Sequence, residues 1–143
     1  DIVEAHGAEY LKVVRHNTDV SLVDGFDGEQ IIDALVEEPF FQDCRNALSP
    51  DGVFVTNWWS GDKRYQRFVE RLLNVFEGRV LELPAESHGN MAVMAFQSSP
   101  KEQNLDKLKK RAEKLSEQYG LDFKRMLNDL KASNPNNGKH FYL

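Results

Sequence analysis

The chain alternates between short, near-continuous apolar runs and stretches whose apolar residues recur every three to four positions. Runs of the first kind are typical of strands covered on both faces, and stretches of the second kind predict amphipathic helices. Their alternation predicts an open α/β sheet, mainly parallel, with an antiparallel strand pair at its end. The predicted strands cover residues 1–5, 19–24, 53–59, 79–83 and 90–96, and the predicted helices residues 8–16, 39–48 and 62–77, with a turn at 49–52.

The pattern changes after Pro100. Apolar residues recur at helical spacing over 105–119, Gly120 interrupts them, and 121–130 predicts a second short helix. We therefore divide the chain into a sheet domain at 1–100, an appended helical hairpin at 101–132 and a tail at 133–143. The Asn, Pro and Gly content of the tail predicts that it is flexible.

The composition limits the classes of partner. The chain has 143 residues, of which 41% are hydrophobic, enough for one globular core, and its net charge is −5. An acidic balance gives no electrostatic reason to bind nucleic acid or an anionic membrane. The basic run at 107–111 is flanked by acids, so we interpret it as a solvated helix face. No apolar stretch approaches the ~20 residues of a membrane span, and nothing resembles a signal peptide.

The cysteine content indicates a reducing compartment, and the histidine spacing gives no sign of a metal site. Cys44 is the single cysteine and lies among apolar residues, which predicts a buried thiol. One cysteine fits the cytoplasm, where disulfides are rare. None of the four histidines is paired at a ligand spacing, so we expect no metal site.

Two carboxylates follow the strand predicted at 19–24. The segment reads Asp24-Gly-Phe-Asp27-Gly, and open α/β sheets bind ligands at the carboxyl ends of their strands. Both acids are therefore candidates to hold a cation or to act as a general base. The alternative is structural, with Asp24 capping the turn and Asp27 capping a following helix. Spacing alone leaves both interpretations open.

Residues 1–97 resemble the C-terminal part of the Rossmann-like domain of the spermidine synthase family, the polyamine aminopropyltransferases. The most specific piece is DVSLVDGFD at 19–27, which is similar to the strand that carries the family's catalytic and second aspartates. The resemblance implies a partial Rossmann-like fold of the class I methyltransferase type. Further pieces that look like the family's, in order, are 2–11 (a strand, turn and helix), 39–53 (a Phe-Phe helix and the next strand), 84–96 (a loop and the final strand) and the helices at 105–127.

The resemblance implies transfer of an aminopropyl group from decarboxylated S-adenosylmethionine to a diamine such as putrescine. The family's first aspartate takes a proton from the attacking amine and its second orients that amine, and these roles fall on Asp24 and Asp27. An ammonium ion has no lone pair, so it must lose a proton before it attacks the propyl carbon. No permanently bound cofactor is implied, because the donor, decarboxylated S-adenosylmethionine or S-adenosylmethionine itself, is a co-substrate.

Several positions depart from the family's pattern. His6 stands where the family has an aspartate that holds the adenine amino group, and with Gly7 it is the candidate donor-binding turn. A surface or capping role is the alternative for His6. Glu86 stands where many members have a tyrosine that contacts the acceptor amine, and loop solvation is its alternative. Asn57 replaces a glutamine near the site.

The family's glycine-rich loop and ribose-binding acid have no counterpart in this sequence. We therefore expect a fragment or truncated form of a longer enzyme, which binds the donor poorly by itself. The strand predicted at residues 1–5 would lack neighbours, so we expect it to be displaced or to pair with a second copy in a homodimer. Two alternatives stay open: a methyltransferase of the same fold, and a non-catalytic assembly domain whose interface is formed by the 105–130 helices.

Overall fold

The computed structural model describes residues 3–15, 17–27, 30–86 and 89–143. Helices and strands alternate along these residues until the chain ends in a pair of helices. The elements are α1 (Gly7–Leu11), β1 (Thr18–Val23), β2 (Phe26–Asp27), β3 (Gln30–Ile31), a 3₁₀ turn (Asp33–Leu35), α2 (Glu38–Ala47), β4 (Leu48–Trp59), α3 (Tyr65–Val75), β5 (Val80–Pro84), β6 (Asn90–Phe96), α4 (Leu105–Tyr119) and α5 (Phe123–Ser133).

Four strands of the described chain form one open sheet in the order β1-β4-β6-β5. β1 runs parallel to β4, with Val20 beside Val53 and Val23 beside Thr56. β6 runs antiparallel to β4 on one side and to β5 on the other. Three strands therefore share one direction and β6 is reversed between two of them. This arrangement confirms the predicted α/β class with an antiparallel pair at its end.

The two faces of the sheet bury separate apolar clusters. Val93 and Ala95 of β6 belong to the larger cluster, together with the apolar faces of α2 and α3. The alternate residues Met94 and Phe96 pack in a second cluster with α4 and α5. Because successive side chains of a strand point to opposite faces, β6 is covered on both sides. In the described part of the chain, each helix is too short or too polar to serve as a membrane span.

The strand predicted at residues 1–5 is wrong over 3–5. These residues form no strand, while Asp1 and Ile2 lie outside the described residues. β1 is consequently an edge strand, and its Val20 and Leu22 side chains are 58% and 75% exposed. A strand needs a neighbour for its backbone hydrogen bonds, and residues 3–5 have none here. α1 also ends earlier than predicted, at Leu11.

A short hairpin follows β1 that the sequence analysis did not predict. Phe26 pairs with Ile31, and Asp27 pairs with Gln30. The amide of Ile32 then donates to the carbonyl of Gly25 at 3.4 Å, which returns the chain toward the end of β1. Asp27 therefore lies in a strand and does not cap a helix.

The turn predicted at 49–52 is absorbed into β4 as an irregularity. Leu48 lies beside Thr18 and Val53 beside Val20, so the register shifts between the two pairs. The hydroxyl of Ser49 donates to the carboxylate of Asp19 at 2.7 Å and links the two strands at this point.

The tail packs on the second cluster, which differs from the flexible tail that its composition predicts. Phe141 is 3% exposed and contacts Leu81 and Leu105. The buried side-chain amide of Asn134 accepts from the Glu82 amide and donates to the Glu82 carbonyl, both at 2.7 Å. The tail is thereby hydrogen-bonded to β5.

Candidate active site

Asp24 follows the last residue of β1, at the carboxyl end of the parallel strand pair. Its carboxylate is exposed, and its Oδ1 accepts a hydrogen bond of 3.3 Å from the side-chain amide of Asn57. The register explains this contact, because Val23 lies beside Thr56 and the next residues along the two strands are Asp24 and Asn57. Among the described residues no backbone amide donates to the Asp24 side chain, which does not support the turn-capping alternative.

A cleft of about 530 Å³ opens beside Asp24. One wall comes from the end of β1, and another from the segment around α1 that includes His6 and Gly7. The structure therefore brings three of the predicted site residues to one cleft. The lining residues are Ala5, His6, Gly7, Tyr10, Leu11, Ser21, Leu22, Val23, Asp24, Gly25, Ile32, Leu35 and Phe40.

The turn at His6 and Gly7 has little structural duty of its own. The His6 carbonyl accepts from the amides of Glu9 and Tyr10 at 3.0 Å, but its ring makes no capping hydrogen bond. A Cβ placed on Gly7 would meet no atom within 4 Å. Both residues thus face open space in the cleft, so a ligand can approach them closely.

Asp27 and Glu86 do not line this cleft. Asp27 is exposed on β2, beyond the point where the chain turns away from β1. Glu86 forms an ion pair with Arg125 of α5, with 2.5 Å between its Oε1 and the Arg125 Nη2. The predicted acceptor-binding roles of both carboxylates stay predictions.

Two further side chains near the sheet, Cys44 and Trp58, are buried in the core. Cys44 is fully buried, and loss of solvation, reinforced by the charge of Asp43, raises the pKa of its thiol to about 12. Trp58 is 2% exposed and packs against Phe41 and Phe68. These groups hold the sheet against its helices and do not reach the cleft.

Sequence reasoning missed the apolar side of the cleft. Ile32 and Leu35, which follow the hairpin, and Phe40 of α2 line it together with Tyr10. Gly25 allows this closure, because a Cβ on it would lie 2.3 Å from the Leu35 Cδ1. The sequence carries a hint: residues 28 and 29, one of them glycine, separate two runs that can pair, which is typical of a tight hairpin.

A family model described as the spermine/spermidine synthase domain matches residues 1–77, which is more than half of the chain. The chain belongs to the spermine/spermidine synthase family. The polyamine aminopropyltransferase of Neisseria meningitidis serogroup B is 86% identical over 143 residues, covering 100% of this chain and 54% of that protein. The polyamine aminopropyltransferase of Chromobacterium violaceum is 60% identical over 143 residues, covering 100% of this chain and 55% of its own length. The chain spans about half the length of these curated relatives.

Solved structures agree with membership of the spermine/spermidine synthase family. A crystal structure of spermidine synthase in complex with the transition state analogue AdoDATO matches with a TM-score of 0.55 at 25% identity, covering 70% of this chain and 37% of that one. Human methyltransferase-like protein 13 in complex with SAH matches with a TM-score of 0.69 at 20% identity, covering 96% of this chain and 61% of that one. The second likeness shows the fold alone, which is Rossmann-like and of the methyltransferase type.

Proposed function

We propose that this chain supplies the amine-activating part of a polyamine aminopropyltransferase, with Asp24 as its general base. The names of the two relatives that match all 143 residues support this activity. The single observation that carries the proposal is the exposed Asp24 carboxylate, at a strand's carboxyl end and at the mouth of a cleft. Ligands of open α/β sheets bind at such ends.

The chemistry assigns one task to Asp24. A diamine enters as an ammonium ion, and Asp24 removes a proton from the nitrogen that will attack. The nitrogen lone pair then forms a bond to the propyl carbon that is attached to the sulfonium sulfur of the donor. The carbon–sulfur bond breaks, and its electron pair stays on sulfur, which becomes a neutral thioether.

Asn57 leaves Asp24 free to take the proton. Among the described residues its amide is the hydrogen-bond partner of Asp24 Oδ1, and no partner is described for Oδ2. A carboxylate has more acceptor sites than this one bond occupies, so an incoming ammonium can still bind. Asn57 thus orients the base while the base remains available.

His6 and Gly7 are our proposed contacts for the donor, decarboxylated S-adenosylmethionine. The open space beside Gly7 admits a flat ring, and a neutral His6 can accept a hydrogen bond from an exocyclic amino group. Gly7→Ala tests the contact cleanly, because a methyl group there meets no protein atom. We expect the variant to keep its stability and to raise KM for the donor.

The decisive experiment compares Asp24→Asn with the wild type in the natural-length protein. We expect kcat with decarboxylated S-adenosylmethionine and putrescine to fall at least about 100-fold, since proton transfer by a positioned side chain contributes about that much or more. Melting temperature should hardly change, because the residue is exposed. Glu70→Gln is the matched control, since Glu70 is an exposed carboxylate on α3.

Two results would overturn the proposal. One is an Asp24→Asn variant that turns over at the wild-type rate. The other is transfer from S-adenosylmethionine but not from its decarboxylated form, which would establish a methyltransferase instead.

On the acceptor side, Asp27 and Glu86 are proposed to attract the second ammonium group of the diamine. Asp27→Asn and Glu86→Gln should then raise KM for putrescine and leave KM for the donor unchanged. Arg125→Gln separates the roles of Glu86, because it removes the ion-pair partner and keeps the carboxylate. If Glu86 serves only that ion pair, Glu86→Gln and Arg125→Gln will change the stability of the protein and leave KM for putrescine unchanged.

A further inference from the structure

A second cleft, of about 390 Å³, lies between α4 and α5 and shares no residue with the cleft at Asp24. Lysines enter it from both helices: Lys109 from α4, and Lys124 and Lys131 from α5. Leu105 and Leu127 contribute apolar surface. The lining is completed by Asp106, Asn128 and Gly138.

The three lysines of this cleft form no ion pair within the described part of the chain. No described carboxylate lies within ion-pair distance of Lys109, Lys124 or Lys131, although Asp106 lines the same cleft. Three ammonium groups against one carboxylate leave an excess of positive charge, in a protein whose net charge is −5. The ion pairs of other lysines are Lys12–Glu9, Lys101–Asp51 and Lys107–Glu102.

The spacing of these side chains suits an elongated anion. Lys124, Asn128 and Lys131 follow one another at positions i, i+4 and i+7, so they share one face of α5. Lys124 and Lys131 are therefore about 10 Å apart along the helix axis. A chain of phosphate groups is long enough to contact both ends at once, whereas a small anion contacts both only if the two lysine side chains bend toward each other. Lysine ammonium groups suit such a chain because each acts as a compact point charge.

We propose that this cleft binds a short polyphosphate chain. Lys124 and Lys131 hold its two ends, Lys109 neutralises it from the facing helix, and the Asn128 amide donates to a phosphate oxygen between them. Free inorganic triphosphate and the triphosphate of a nucleotide share this chemistry. The site is separate from the proposed aminopropyl transfer and does not depend on it.

Isothermal titration of the natural-length protein with inorganic triphosphate tests the proposal. We expect saturable binding that weakens as salt rises, because exposed charge pairs are screened. Lys124→Gln and Lys131→Gln should each raise the Kd for triphosphate about fivefold, which is the effect of losing one partly exposed charge contact. All of these side chains are exposed, so the variants should fold. An ATP arm distinguishes the sources: tighter binding of ATP than of triphosphate points to a nucleotide.

Lys110→Gln is the matched control, because Lys110 is an exposed lysine next to Lys109 that does not line the cleft. Its Kd should stay near the wild-type value. The proposal is overturned if no binding of triphosphate is detected at a concentration of about 1 mM, because even a weak site with a Kd of about 1 mM would be half occupied there. It is also overturned if Lys110→Gln loses as much affinity as Lys124→Gln, since the attraction would then come from diffuse charge. Neither outcome bears on Asp24.

Discussion

At the scale of single residues, the proposed base Asp24 is positioned by one contact across the parallel strands. Asn57 lies partly buried on β4 and donates to the exposed Asp24. Side chains on neighbouring strands meet in this way only when the register is fixed, and here the flanking pair of Val23 and Thr56 fixes it. Asn57 is thus a positioning residue in the proposed reaction, and Asp24 is the group that touches the amine.

Asn57→Ala should lower kcat about tenfold, because a hydrogen bond to a charged group is worth about 1.5 kcal/mol. KM for the donor should stay near its wild-type value, since Asn57 does not line the cleft. Asn57→Gln, which keeps an amide, should recover much of the loss. Steady-state kinetics with both substrates measures these effects. A purely structural role would instead lower the melting temperature and leave kcat per folded molecule intact.

The positions of single residues were predictable where they depend on strand ends and not where they depend on distant partners. The placement of Asp24 follows from an apolar run that stops at an acid, which is a local signal. The ion pair between Glu86 and Arg125 joins residues 39 positions apart and has no local signal. Cys44 was predictable as buried, because its helix neighbours Phe40 and Phe41 are apolar.

At the scale of elements, the tail is the clearest case in which composition misleads. Its asparagines satisfy the backbone locally: Asn136 Oδ1 accepts from the Gly138 amide, and Asn137 Oδ1 accepts from the amides of Lys139 and His140. Such side-chain turns order a segment without a helix or a strand. The tail is rich in polar residues and contains a glycine, and a mobile segment has the same composition. Composition alone therefore cannot distinguish the two.

Phe141→Ala should destabilise the protein by about 3 kcal/mol, because it removes a buried aromatic ring from the second cluster. Urea unfolding followed by circular dichroism measures this difference. Tyr142→Ala is the control, since its side chain is 61% exposed and should cost less than about 0.5 kcal/mol. Equal stability of the two variants would contradict the packing of Phe141 in the second cluster.

At the scale of the whole molecule, the order of strands and helices was predictable, while their closure around the cleft was not. Periodicity is a local property, so it predicts the four sheet strands β1, β4, β5 and β6 and the helices α2, α3, α4 and α5. It also predicts a strand at residues 1–5, which is wrong over 3–5. The return of the chain after Gly25, which places Leu35 over that glycine, depends on packing between distant residues. Tertiary contacts of this kind leave no periodic trace in the sequence.

Arg45 joins three parts of the molecule. From α2 it donates to the carbonyl of Val75 at the end of α3, to Glu77 at 2.7 Å, and to the Gln97 side chain after β6 at 3.3 Å. Glu77 also accepts from Arg79 at 2.7 Å. Hydrogen bonds from Arg79 and Arg45, of which that from Arg79 has the larger effect, lower the pKa of Glu77 from its ordinary value of 4.5 to about 2. This carboxylate therefore couples the helix layer to the sheet in a pH-dependent way.

The sign of the dependence follows from the lowered pKa. Above pH 4.5 Glu77 is ionised in both the folded and the unfolded chain, so its contribution to stability is fully present. Between pH 4.5 and about 2 the unfolded chain takes up the proton first, and the contribution declines until it is lost. Glu77→Gln should therefore have a lower melting temperature than the wild type at pH 7, and this gap in melting temperature should close progressively as the pH falls toward 2.

Thermal melts between pH 7 and pH 2 measure this gap. Glu113→Gln is the control, because Glu113 is an exposed carboxylate on α4. High salt should narrow the gap at pH 7, because the Glu77 carboxylate is exposed and its ion pairs are screened. A gap that stays constant down to pH 2 would contradict the assignment and would attribute the loss to packing of the Glu77 side chain.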